Sequence, residues 1–182
     1  MSSEAAVEAQ ERAGGGDEAA MVRRLAGKYM TFQLAAETYG LEIVTVREII
    51  RLMEITHVPG TREFMRGVVS LRGKVIPVVD LRLKLGMPRA EATEQTVIIV
   101  VQFEVAGRSL TAGVLVDQVL EVRSVEASKI EPPPSFGAGV PAADFIRGIG
   151  MAEDRVIFLL DLGRVLSESE ANELARAGEP TE

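Results

Sequence analysis

Residues 64–85 read FMRGVVSLRGKVIPVVDLRLKL, and residues 145–166 read FIRGIGMAEDRVIFLLDLGRVL. At a constant offset of 81, Phe64 matches Phe145, Arg66 matches Arg147 and Gly67 matches Gly148. The register continues without a gap through Val75/Val156, Ile76/Ile157, Asp80/Asp161 and Leu85/Leu166. A chain that carries the same stretch twice must fold as two related units, and this constrains every later assignment. The repeat extends upstream at an offset of 73, where Gly40, Val46, Glu48 and Ile49 match Gly113, Val119, Glu121 and Val122. The change of offset requires extra loop in the second copy, and the Pro-rich run from Glu131 to Pro141 is the natural place for it. Each copy spans about 70 to 80 residues, marginal alone, so a core shared between the copies is expected.

The interior must be aliphatic. Aromatic residues are 4% of the chain and Trp is absent, against 47% hydrophobic residues overall. The absence of Cys excludes disulfides, thiolate metal sites and a cysteine nucleophile. No apolar run reaches the ~18 residues of a membrane span, and Met1–Glu8 lacks the basic and apolar regions of a signal peptide. A cytoplasmic protein is therefore expected. The net charge of -7 is uneven. Residues 1–24 carry -2, residues 166–182 carry -4, and the remainder only -1. No concentrated basic face for nucleic acid is visible.

Residues 1–24 are rich in Ala, Glu and Gly, and read as a flexible arm. Tyr29–Leu34 and Tyr39–Ile43 read as strands around a turn at 35–38, and Val44–Ile50 as a brief helix or a strand. Thr61 is placed to cap a single helical turn. Gly67–Leu71 and Lys74–Val79 flank Arg72-Gly73 as a hairpin, and Pro77 assigns the second strand to an edge or a bulge. Thr96–Phe103 is a central strand, Leu110–Val116 another, and Arg155–Leu160 ends the β content. Asp80 and Asp161 each cap a helix, the second continuing toward Ala177. Many short strands with few helices indicate small barrels, and two copies indicate two of them. The expected organisation is an arm (1–24), a two-barrel domain (25–167, divided into roughly 28–90 and 91–167) and an acidic C-terminal helix or tail (168–182).

The segments 39–49 (YGLEIVTVREI), 64–73 (FMRGVVSLRG), 75–82 (VIPVVDLR) and 145–148 (FIRG) resemble the CheW family of coupling proteins from bacterial chemosensory arrays. The resemblance covers about residues 28–167. It implies a mainly β fold of two SH3-like, five-stranded barrels. It also implies a non-enzymatic adaptor without a cofactor that couples methyl-accepting chemoreceptors to the histidine kinase CheA. In such proteins the cytoplasmic tip of the receptor binds in a groove between the barrels. The barrel ends pair with the regulatory domain of the kinase, and copies of the adaptor can meet one another in the array. Neither nucleic-acid binding nor direct membrane insertion is implied.

Carried onto this chain, the resemblance makes Arg72 a partner-binding residue that faces Glu48. A planar guanidinium suits a carboxylate, so the pair would fix one wall of the site. Leu71 belongs to the same turn. Ile43, Val46 and Ile49 are candidates for an exposed apolar contact, although such residues more often build a core. Asp80 and Asp161 resemble a catalytic pair only superficially, since repeat symmetry makes both of them caps. His57 is a loop histidine. With one His, no Cys and no nucleotide-binding loop, catalysis has no machinery here. The alternative is a barrel that binds a small ligand directly, which would need a cavity with converging polar groups.

Overall fold

The structure, a computed structural model, describes residues 16–133 and 144–178. Helix α1 covers 16–25. Hairpin β1 (Gly27–Leu34) and β2 (Glu37–Glu42) follows, then a short 3-10 turn, Ile43–Thr45, and strand β3 (Val46–Arg51). The first copy ends with β4 (Met65–Leu71), β5 (Lys74–Asp80) and helix α2 (Leu81–Lys84). The second copy repeats this order: β6 (Val97–Val105), β7 (Arg108–Val116), β8 (Gln118–Val125), the two-residue β9 (Ile130–Glu131), β10 (Ile146–Ala152), β11 (Arg155–Leu160) and α3 (Leu162–Val165). Helix α4 (Glu168–Ala177) closes the fold. The segment 44–50, left between helix and strand by its pattern, is divided between the 3-10 turn and β3.

The strands form two curled sheets, and the copies exchange their first hairpins. Sheet A runs β8-β1-β2-β11-β10-β9, and sheet B runs β3-β6-β7-β5-β4. Sheet A thus joins residues 27–42 to 118–160, while sheet B is built from 46–116. This corrects the division into 28–90 and 91–167. The cause is local. The turn at Ile43–Thr45 sends the chain out of sheet A, and β3 pairs with β6. The edge of β2 is taken instead by β11 in parallel, as that of β7 is by β5. Parallel neighbours require a long crossover, which a contiguous copy could not provide by hairpins alone.

Repeat symmetry reaches single bonds. The Asp80 N–H donates to Phe64 O at 2.7 Å, and the Asp161 N–H to Phe145 O at 2.9 Å. Each strand pair has a bulge between its first residues, at Met65/Gly67 and at Ile146/Gly148. Arg66 pairs with Asp80 at 3.2 Å, and Arg147 with Asp161 at 3.6 Å. Both aspartates also cap, accepting from the Leu83 and Gly163 N–H groups. Thr56 bonds Val68 where Glu131 pairs with Ile149, an offset of 75. Most of the extra loop therefore follows Glu131, and much of the Pro-rich run lies outside the described residues.

Three clusters make the core. Ile98 and Val100 of β6 face the interior of sheet B with Val69, Ile76 and Val78. Ile99, Val101, Phe103 and Val105, on the other face, join a large core between the sheets with Phe32, Leu34, Leu41 and Leu174. Alternation buries β6 on both sides, as expected of a central strand. Pro77 lies in β5 between β7 and β4, but parallel pairing with β7 begins only at Val78, so the strand is locally an edge there. The interior of sheet A holds Tyr29, Val125, Ile157 and Leu159.

The termini differ from expectation. Residues 16–25 are helical rather than a flexible arm. Val22 packs against the sheet A interior, and Leu25, 2% exposed, belongs to it. The remainder of the expected arm, 1–15, lies outside the described residues. The C-terminal helix is not continuous with α3. Leu166 is extended, and Ser167 caps α4 by a capping box with Glu170. Thr61 caps no helix, and its hydroxyl donates to Val58 O.

Lys84 occupies the junction of the copies. Its ammonium lies 4.7 Å from the Phe64 ring centroid and 5.7 Å from that of the equivalent Phe145. It is 2.5 Å from the Glu170 carboxylate of α4.

Candidate partner-binding face

Strand β3 and the β4–β5 turn carry the candidate residues. The turn places both Arg72 (φ 51°) and Gly73 (φ 79°) in the left-handed region, the geometry that matches the twist of a two-residue hairpin. It projects the Arg72 side chain outward, 76% exposed, and its guanidinium donates to Glu48 Oε2 at 2.8 Å. The pair links β3, an edge strand of sheet B, to the turn between β4 and β5. Ile49 is exposed. Val46 is half-buried against the core between the sheets, and Leu71 against the interior of sheet B. Ile43 is half-buried in the 3-10 turn.

Two neighbours were not singled out by the sequence. Val44 is 71% exposed beside Ile43, and Val75 is exposed next to the Arg72 turn. Val156, the equivalent of Val75, is exposed too, as is Val122, the equivalent of Ile49. Both copies thus present the same apolar positions to solvent.

Charge distinguishes them. Glu153 stands where the first copy has Arg72, and Glu121 keeps the carboxylate of Glu48. Two like charges would face each other, but Arg123 lies between them, 2.5 Å from Glu121 and 2.8 Å from Glu153. These hydrogen bonds hold the Glu153 carboxyl below its ordinary value. With Asp154 beside Glu153, the second turn is acidic where the first has Arg72 and Gly73, while Lys74 has a basic equivalent in Arg155.

A cleft of about 470 Å³ lies between the sheets, lined by Leu41, Glu42, Thr45 and Phe103 among others. Its charged residues are largely paired with one another: Arg147 reaches Glu42 at 2.9 Å as well as Asp161. Nearby, burial, with Glu42 adding and Arg147 opposing, pushes the Tyr29 phenol up to about 12. Its hydroxyl donates to Leu25 O at 2.5 Å. Among the described residues no cluster of His, Cys, Asp and Glu could hold a metal ion, and no helix is long and apolar enough to cross a membrane. The chemistry of this surface is that of exposed apolar positions framed by ion pairs.

The sequence pattern of the CheW-like domain matches residues 28–170. The chain belongs to the CheW family. It is 35% identical over 156 residues to the chemotaxis protein CheW of Klebsiella aerogenes, covering 83% of this chain and 91% of that one. It is 31% identical to the protein FrzA of Myxococcus xanthus, covering 82% and 91%. The scaffolding protein TtCheW of Thermoanaerobacter tengcongensis has the same fold, with a TM-score of 0.69 and 34% identity, covering 81% of this chain and 97% of that structure. The two curled sheets are therefore the CheW architecture, and the domain works in chemotaxis signalling as a scaffold or adaptor.

Proposed function

We propose that this chain is a non-enzymatic adaptor that couples the cytoplasmic tips of chemoreceptors to a CheA-type histidine kinase at a membrane-associated array. The observation that supports this most directly is the pair of related but oppositely charged turns. Arg72 with Glu48, and Glu153 with Arg123 and Glu121, are each accompanied by an exposed valine, Val75 or Val156. Two related turns of opposite charge on one molecule suit head-to-tail association with a partner of the same fold, which extends into rings or chains. The regulatory domain of the kinase and a second copy of the adaptor are such partners. Arg72, Glu48, Ile49 and Leu71 would act at the first turn, and Ile43 and Val46 at the receptor-facing groove.

The test is reconstitution. Receptor fragments arrayed on vesicles and the kinase are combined with and without this chain. The chain should bring the kinase into the pellet and make its autophosphorylation depend on receptor. Unchanged sedimentation and unchanged kinase activity at micromolar concentrations of the chain would overturn the proposal.

A further inference from the structure

Helix α1 lies before the family match, which begins at residue 28, yet it is joined to the folded domain. Leu25 fills space that the backbone at Gly148 leaves open: a Cβ there would come within 3.0 Å of Leu25 Cδ1. The buried Tyr29 hydroxyl holds the Leu25 carbonyl. The last turn of α1 is therefore fixed, and it is fixed beside the 3-10 turn. Arg24, Leu25 and Lys28 share a cleft of about 150 Å³ with Glu42, Ile43 and Val44. Arg24 and Lys28 are exposed, and neither forms an ion pair among the described residues. The one acid of the cleft, Glu42, is occupied by Arg147 at 2.9 Å. An exposed Val44 is thus rimmed by two cations that pair with no acid among the described residues, in a chain of net charge -7.

We infer that the end of α1 is a second wall of the receptor-facing site, and that it selects a receptor segment whose apolar residues are flanked by acidic ones. The inference rests on the adaptor reading, and narrows it. Val44 with Ile43 supplies the apolar contact, and Arg24 and Lys28 supply the electrostatic selection. Such cations act mainly on encounter and are screened by salt.

The experiment titrates a purified cytoplasmic fragment of a chemoreceptor against the full chain, the double variant Arg24→Glu/Lys28→Glu, and Val44→Asp. All three sites are solvent-exposed, and circular dichroism with thermal melting verifies the fold. At about 0.05 M salt the double variant should bind at least about fivefold more weakly than the parent, and the gap should narrow at about 0.5 M. Val44→Asp should weaken binding at both salt concentrations. A smaller loss in the double variant, with Val44→Asp weakened, overturns the role of α1 and leaves the adaptor reading standing. A silent Val44→Asp overturns the composite face even if the double variant is weak. A parent chain that fails to bind the fragment overturns both readings.

Discussion

The Arg72 guanidinium lies 2.8 Å from the Glu48 carboxylate, and it does so between the β4–β5 turn and the edge strand β3 of sheet B. Arg72 is so exposed that the pair adds little to folding. Exposed pairs contribute about 0–1 kcal/mol. Arg72→Glu should therefore melt within about 4 °C of the parent. In the reconstituted mixture it should lose receptor-dependent control of the kinase, because a charge lost from a partly desolvated interface costs on the order of 2–5 kcal/mol. Glu48→Arg should fail likewise, and the double charge swap should recover part of the activity. Parental coupling by Arg72→Glu would remove the pair from the binding face. Loss of coupling only together with unfolding would make it structural.

The two bulge glycines should not be equivalent under mutation, although the repeat matches them. Gly67 has φ 141°, and a Cβ there would lie 2.1 Å from Thr56 O, inside the double hydrogen bond between Thr56 and Val68. The atoms it would meet are all backbone and cannot turn away. Gly67→Ala should cost about 3 kcal/mol or more, from strain and the broken bridge together. At Gly148 the nearest atoms are Leu25 Cδ1 at 3.0 Å and Glu131 O at 3.1 Å, and a leucine methyl can turn away. Gly148→Ala should cost less. Urea unfolding of both variants decides it, and equal losses would refute the account.

Ile76 and Ile157 are repeat-equivalent and both buried, at 7% and 2% exposure, each in the interior of its own sheet. Truncating either to Ala should cost about 2–5 kcal/mol. Thermal melts are the measurement, and parental midpoints for both variants would deny the equivalence of β5 and β11.

The sequence carried much of this fold, and the losses have physical causes. The doubled stretch yielded the hairpin at Arg72-Gly73, both caps and the equivalence of Asp80 with Asp161, because each depends on residues close in the chain. The exchange of first hairpins was not legible. Alternation states which residues of β2 and β7 are buried, but not which strand will take their open edges. Helix α1 was hidden by composition: its Ala- and Glu-rich start suggested an unfolded arm, while two side chains, Val22 and Leu25, anchor it. The break before α4 could have been read, since Ser167 and Glu170 have the spacing of a capping box. The Arg72–Glu48 contact followed from the family resemblance. The counterpart at Arg123 and Glu153 did not, because the repeat aligns Glu153 with Arg72, and only the fold brings in Arg123 to separate Glu153 from Glu121.

The Lys84–Glu170 pair should make the docking of α4 dependent on pH. Burial alone would push the Glu170 carboxyl up, but the Lys84 ammonium and the Ser167 N–H and hydroxyl contacts outweigh it and hold the group below its ordinary value of 4.5. The folded chain therefore binds this proton more weakly than the unfolded chain does. The contribution of the pair to stability is complete above the unfolded value near 4.5 and is lost as pH falls through the lower folded value. Lys84→Met removes the ammonium that keeps the carboxylate ionised. It leaves a largely buried acid, 8% exposed, between α4 and the core. The loss at neutral pH should be roughly 3 kcal/mol, the lower end for breaking a buried pair. As pH falls through the lower folded value the variant and the parent should converge, since a protonated Glu170 no longer needs its partner. Denaturant unfolding at pH 7 and at successively lower pH, down to the acid limit at which the parent still folds, measures both differences. A gap between parent and variant that stays constant across that range would show that Lys84 stabilises the junction through its contacts with Phe64 and Phe145, and not through Glu170.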